Sequence, residues 1–391
     1  MNQTSSASRA DHRVVLLKCD DYGKLPQVLQ QGIALLGGIQ QYCKPGEHLV
    51  LKPNLLLGDR PEKGTTTHPE FFKAVAAFFQ AAGLRISFGD SPGVGSPLGA
   101  ARSSGLLDLA TPLGIDLADF STETEVSNPD GTLIKHFQVA KGVINADGII
   151  NLPRFKTHGL TRMTGAVKNL FGCLPGLQKA AFHAQLHDES QFGEMLVDLA
   201  GLISPRLHIM DAITGMEGNG PRNGTLRKVG LVLISSNPHA LDHCVARLMN
   251  LDPELVPTLR VAHAHGIYHP ENIQVLGEAL EPLIMGDYDV NRSRIPTTGP
   301  LELYLGLFKN WITPRPVIDA EKCTQCGRCV RVCPADPKAI QFTNGRNTPP
   351  QYNYERCIRC YCCQEMCPDE AISIKQPLLG RIVGTCTRPE G

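Results

Sequence analysis

The residues best suited to chemistry lie near the end of the chain. They read Cys323-Thr-Gln-Cys326-Gly-Arg-Cys329-Val-Arg-Val-Cys333-Pro334, and then Cys357-Ile-Arg-Cys360-Tyr-Cys-Cys363-Gln-Glu-Met-Cys367-Pro368. Each run has the C-x2-C-x2-C-x3-C-P spacing of a [4Fe-4S] ligand set. Three evenly spaced thiolates wrap one face of an iron–sulfide cube. The fourth, followed by Pro, is carried away and reaches the other cube. The spacing therefore assigns Cys323, Cys326, Cys329 and Cys367 to one cluster, and Cys357, Cys360, Cys363 and Cys333 to a second. Structural zinc uses well-separated C-x2-C pairs and disulfides need an oxidising compartment, so neither fits the pattern. The expected cofactors are two [4Fe-4S] clusters, which together form a one-electron relay.

This stretch resembles a bacterial-type two-cluster ferredoxin domain. One departure is visible: Cys333-Pro-Ala-Asp-Pro-Lys-Ala-Ile340 is two residues longer before Ala-Ile than Cys367-Pro-Asp-Glu-Ala-Ile372. The difference bears on the local helix, not on the ligands. Eight cations stand against six carboxylates over 321–375, and Arg328, Arg331, Arg356 and Arg359 sit in or beside the ligand loops. They either dock an acidic electron carrier, of the ferredoxin or flavodoxin type, or only neutralise cluster charge.

The chain that presents these cysteines has 391 residues, 42% hydrophobic and 19% charged, with Lys+Arg and Asp+Glu equal at 38. It can bury a core, and its neutral balance gives no basis for nucleic acid or an anionic membrane as a partner. The apolar runs are too short for a membrane span, and Met1 to Arg13 lacks the apolar core of a secretory signal. Fourteen cysteines without an export signal point to a reducing cytoplasm. Cys19, Cys43, Cys173, Cys244, Cys362 and Cys386 fall outside the two ligand sets and read as buried or idle thiols, Cys362 as a neighbour of a cluster.

Upstream, strand-like and helix-like segments alternate, as in a parallel sheet with crossovers. His12 to Cys19, His48 to Leu56, Leu84 to Phe88, Gly142 to Asn151, Leu207 to Asp211 and Val229 to Ser235 read as strands, and Ile273 to Gly277 as an edge strand. Lys24 to Gln40, a segment capped by Thr67, Phe192 to Ile203, His239 to Asn250 and Val256 to His265 read as helices. The expected fold is an α/β domain with a parallel or mixed sheet over 12–284, after a disordered tail 1–11. A linker with a bridging helix spans 285–315, a small α+β two-cluster ferredoxin-like domain 316–377 and a tail 378–391.

Ligands of open parallel sheets bind beyond the carboxyl ends of the strands. Those ends carry Lys52 and Asn54; Asp90, Ser91, Gly93 and Gly95; Arg154, Lys156 and His158; and Asp211. The 89–95 loop either presents backbone N–H groups to an anion or is a tight strand-to-helix turn. Arg154, Lys156, His158, Arg162 and Lys168 form the densest cationic stretch, alongside Asn169. It is either a solvated loop or an anion site held against a core. His183 and His187 stand four apart without the Glu of a zinc motif and read as surface or acid–base groups.

Lys52-Pro-Asn-Leu, Gly89-Asp-Ser-Pro-Gly, Leu152-Pro-Arg-Phe-Lys-Thr-His158, Gly165-Ala-Val-Lys-Asn-Leu-Phe-Gly172, Asp211 to Pro221 and Ala240-Leu-Asp242 are similar to blocks of the domain-of-unknown-function-362 family. The resemblance implies an α/β domain coupled to iron–sulfur clusters and implies no substrate. Two functions follow. In the first, a ferredoxin-coupled reductase binds an anionic small molecule through Lys52, Asn54, Asp90, Ser91, Gly93, Lys156, Asn169 and Asp211, with Lys168, His158 and His183 as catalytic groups. In the second, the chain is a non-catalytic electron-transfer module docking to a partner redox enzyme. Cluster or cofactor assembly is a weaker third, because the phosphate motifs are incomplete.

Overall fold

In the computed structural model the described residues are 11–176, 178–186, 188–293, 313–375 and 377. The expected bridging helix over 300–311, His187, Cys386 and the tails lie outside them. Twelve strands form the large domain: β1 (Arg13–Lys18), β2 (His48–Pro53), β3 (Arg85–Phe88), β4 (Asp116–Leu117), β5 (Glu123–Ser127), β6 (His136–Ala140), β7 (Gly148–Leu152), β8 (Arg154–His158), β9 (Arg162–Met163), β10 (Leu207–Glu217), β11 (Thr225–Ser235) and β12 (Gln274–Gly277). The main sheet runs β12-β1-β11-β10-β7-β2-β3-β4, with β8 and β9 branching from β10; β5 and β6 form a separate hairpin. It is mixed. β10, β7, β2, β3 and β4 pair in parallel, and β11 runs antiparallel between β10 and β1.

Alternation along the strands builds a core on each face of the sheet. Val15, Leu17, Leu49, Leu51, Ile150 and Leu152 pack with Phe71, Phe72 and Phe79 of helix Pro69–Ala81. Val14, Leu16, Met210 and Leu233 face the opposite way, onto helix Pro238–Leu248. Two sequence expectations need correcting. The helix at Pro69 is capped by His68, whose side chain accepts from Glu70 N, while the Thr67 hydroxyl donates to Leu152 O and accepts from Asn54 N. A hydroxyl with two buried backbone partners is worth more there than at a helix end. The segment 142–151 begins as a one-turn helix, Lys141–Ile144, and only then becomes β7.

The last four strands form two small ladders, β13 (Arg315–Ile318) with β16 (Ile372–Lys375) and β14 (Ile340–Gln341) with β15 (Gln351–Tyr352). They frame the two cysteine loops. No helix among the described residues is long and apolar enough to cross a membrane.

Asp211 lies fully buried in the sheet. It pairs with the equally buried Arg154, accepts from His68 N at 3.0 Å and lies 3.4 Å from the Tyr22 hydroxyl. Removing one member of such a pair strands the other charge in the core. Asp211→Ala should therefore cost about 3–5 kcal/mol of unfolding free energy, measured by chemical denaturation; a loss below ~1 kcal/mol contradicts the assignment.

Candidate functional site

The carboxyl ends of β2, β3 and β7 converge on one rim, and the small iron–sulfur-type unit sits on it. Arg222 ties the two together: its Nε and Nη2 hold Asp59 at 2.9 and 2.7 Å, and its Nη1 donates to Cys367 O at 2.8 Å. Gln364 Nε2 donates to Asn219 O at 2.9 Å, and Asn223 donates to Gln364 O at 3.2 Å. Met366 fits against Gly93, where a Cβ would lie 2.5 Å from its Cε. Glu365 reaches furthest, placing Oε1 3.1 Å from His158 Nε2. The His158 Nδ1 accepts from Leu160 N and Thr161 N at 3.1 and 3.3 Å, which assigns the proton to Nε2, facing the carboxylate. Burial lowers the His158 pKa, while His158 and Lys168 hold Glu365 ionised against its own burial.

Between the two units lies a cavity of about 330 Å³. Asn54, Asp90, Ser91, Gly93, Lys156, His158, Lys168, Asn169 and His183 all line it, nine of the eleven positions expected to act on a substrate. Lys52 and Asp211 do not. Lys52 is fully buried beneath the rim, ion-paired to Asp90 at 2.8 Å and donating to Pro53 O at 3.0 Å. Gly172 is required above this pair, since a Cβ there would fall 1.8 Å from Asp90 Oδ1.

A ladder of buried amides orients the rim. Lys156 Nζ donates to Asn54 Oδ1 at 2.7 Å and Thr65 O at 2.6 Å; Asn54 Nδ2 donates to Asn169 Oδ1 at 2.7 Å; and Asn169 Nδ2 donates to Asn151 Oδ1 at 2.8 Å. Asn151 Nδ2 ends the ladder between Ala166 O and His208 Nδ1, at 2.9 and 3.0 Å. Asn54 and Asn169 are thus positioning groups as well as cavity wall. Burial without a contacting carboxylate drops the Lys156 pKa to about 7. Burial likewise lowers Lys179 to about 8 and His183 to about 3, the latter stacked on Phe192 at 4.5 Å.

Lys168 is presented by the short helix Gly165–Asn169, whose Ala166 and Val167 N–H groups donate to Asp242 at 2.5 and 3.1 Å. Its ammonium lies 4.5 Å from the Phe171 ring centroid, and burial lowers its pKa. Gly165 has φ +64, and a Cβ there would meet the Asp242 carboxylate at 2.5 Å.

The cysteine loops repeat one backbone shape. Gln325 and Gly327 flank Cys326 with φ 55 and 71, as Arg359 and Tyr361 flank Cys360 with φ 61 at both. Cys323, Cys326, Cys329 and Cys367 line one small cavity of about 20 Å³. Cys363 is buried near Cys360 and Cys357 and receives the Tyr352 hydroxyl at 3.2 Å. Cys333 and the additional thiol Cys362 reach the larger cavity. Glu365, Lys179, Cys362 and Arg331 are cavity groups that motif reasoning missed. Arg331 and Cys362 lay in plain view beside the ligands, but nothing in the spacing says which face of a one-turn helix meets a second domain.

The fold and site define an α/β domain with an iron–sulfur module closing its rim. A family model described as a domain of unknown function, DUF362, matches residues 49–247, and one described as a 4Fe-4S dicluster domain matches 315–368. The chain is 38% identical over 317 residues to the thylakoid-associated protein sll1697 of Synechocystis sp., covering 75% of this chain and 98% of that protein. It belongs to the DUF362 family. Among solved structures, the lactate racemase apoprotein from Thermoanaerobacterium thermosaccharolyticum aligns with a TM-score of 0.38 at 12% identity over 59% of this chain, and a Thermotoga maritima protein with 0.30 at 11% over 51%. The chain spans about half of each, 55% and 52%.

Gly165→Ala should lower stability by about 1–3 kcal/mol, since it strains a left-handed position and displaces Asp242. Thermal unfolding would show it; an unchanged midpoint contradicts the packing described.

Proposed function

We propose that the protein is an iron–sulfur reductase whose anionic small-molecule substrate binds in the cavity between the two units. The single observation that carries this reading is that Cys333 and Cys362 share one cavity with Lys156 and Lys168. Bound there, clusters would supply electrons one at a time. The thiols suit them: soft donors, a repeated loop shape, and one four-thiol cavity. Cys323, Cys326, Cys329 and Cys367 would hold one cluster, and Cys357, Cys360, Cys363 and Cys333 the other. A ferredoxin- or flavodoxin-type carrier in a reducing cytoplasm is the proposed donor.

Within the chain, Lys168 binds the substrate's negative group and Lys156 supplies a proton to it. His183 is held neutral, and both His158 nitrogens are engaged, which moves the acid role from the histidines to Lys156. The lysine's two acceptors are neutral, so nothing locks it as an ammonium. It is an acid below pH 7 and a free amine above.

Anaerobically prepared protein should carry about eight irons per chain and a reducible paramagnetic signal; Cys363→Ser should lose one cluster's worth, whereas Cys362→Ser should keep both. Reduced protein should then be reoxidised by members of an anionic metabolite panel without any protein partner. Reoxidation by proteins alone would favour the electron-transfer module instead. Competitive acetylation followed by mass spectrometry should give Lys156 a midpoint near pH 7, with reactivity rising above it. A midpoint near 10 would remove Lys156 as the proton source.

A further inference from the structure

The cavity has a charge and hydrogen-bond pattern specific enough to name a ligand class. Asp90 is neutralised by Lys52 beneath the rim. Lys179 spends its three donors on Ser91 O, Ser91 Oγ and Leu174 O, at 3.1, 2.7 and 2.7 Å. Lys156 is held by Asn54 and Thr65. Glu365 faces His158. Arg331 stands at the solvent edge, donating to Cys326 O at 3.3 Å beside the first thiol loop. Among the described residues that line the cavity, Lys168 is the cation for which no hydrogen-bond acceptor is seen: its ammonium lies over Phe171 at 4.5 Å and Phe192 at 5.7 Å and feels the Glu365 carboxylate only through space. A half-buried ammonium left without an oxygen is costly unless a ligand provides one.

Apart from Thr164 and the thiols Cys333 and Cys362, much of the remaining wall is apolar, with Leu56, Val94, Phe171, Ala180, Val332 and Met366 around it. A volume of about 330 Å³ lies at the small end of ordinary ligand pockets. The carboxylate of Glu365 offsets part of the lysines' charge, and Arg331 stands only at the solvent edge, so a second negative group deep in the cavity would face a carboxylate.

We propose that this cavity takes a monoanion with an apolar body, its anionic group bound by Lys168 and its body against Phe171 and Met366. The inference rests on the cavity being the substrate site proposed above, and it names the substrate's class. A carboxylate-sized group accepts from the ammonium, and the apolar part displaces water from the Met366 side.

The test uses full-length anaerobic holoprotein and isothermal titration calorimetry with two matched pairs, 3-phenylpropionate against 3-phenylpropan-1-ol and octanoate against octan-1-ol. Succinate and inorganic phosphate serve as dianionic probes. At least one acid should bind tenfold or more tighter than its alcohol and than either dianion. Lys168→Met should erase the acid's advantage while leaving iron content and thermal midpoint in place, and Lys168→Arg should retain it. The proposal is overturned if both acids bind no tighter than their alcohols, if a dianion binds best, or if Lys168→Met leaves the preference intact. Acid binding together with no reoxidation of the reduced protein by any member of the anionic metabolite panel would sink the reductase reading and leave the ligand class standing.

Discussion

A buried carboxylate needs a partner, and in this chain the partner lies in another domain. Glu365, on the one-turn helix Cys362–Glu365 that carries the last cysteine of the second triplet, reaches His158 at the end of β8. Neither group is tolerated alone in an apolar interface. The contact therefore fixes how the iron–sulfur unit sits on the rim, with Arg222 and Gln364 setting its register alongside. The cavity is a consequence of that docking. Take the small unit away and the rim is an open ledge, with Lys168 in water and Glu365 exposed.

The same docking explains residue types that look redundant when viewed one domain at a time. Asn219, Gly220 and Pro221 follow β10 at the end of the Asp211-to-Pro221 block. Asn219 instead accepts the Gln364 amide and donates to Ile372 O at 3.2 Å. A Cβ on Gly220 would fall 2.4 Å from Thr157 O, so glycine there lets the loop lie against β8. The amide ladder from His208 to Lys156 is the other apparent extravagance. Each amide turns its oxygen toward the next group along the ladder, ending at Lys156, because its nitrogen is claimed from behind. The ladder thus keeps an acceptor aimed at Lys156 without adding a negative charge that would clamp it as an ammonium.

Much of this was legible in the chain. The doubled cysteine spacing named the cluster type, because cubane ligation constrains short-range spacing and little else does. The alternating elements named an α/β domain; the rule that strand ends bind ligands gathered Asn54, Asp90, Ser91, Gly93, Lys156 and His158 of the cavity wall, while the cationic stretch and the histidine pair supplied Lys168, Asn169 and His183. The rest was hidden for physical reasons. The Leu231–Ser235 half of the antiparallel β11 reads locally like the parallel strands of the sheet, since both are buried on two faces. Lys52 and Lys168 look alike in sequence, yet one is neutralised by Asp90 below the rim and the other opens into the cavity. Glu365 and Arg222 were invisible because their value lies in contacts between segments 145 or more residues apart.

On the proposed reading, electrons and protons would reach the cavity from separate devices. The thiol loops and the lysines meet the cavity from opposite sides, one on each structural unit. Charge arriving from the cysteine side would add negative potential near Lys168 and Lys156 and raise the affinity of both for protons and cations. On the proposed reading, an incoming anion on Lys168 would do the same to Lys156, whose pKa the Lys168 charge helps to lower. Reduction and substrate binding would thus each favour the ammonium form of Lys156, the form that can donate. Neutral acceptors around that lysine are what leave its protonation free to respond; a carboxylate in place of Asn54 would fix it regardless of what the cavity held.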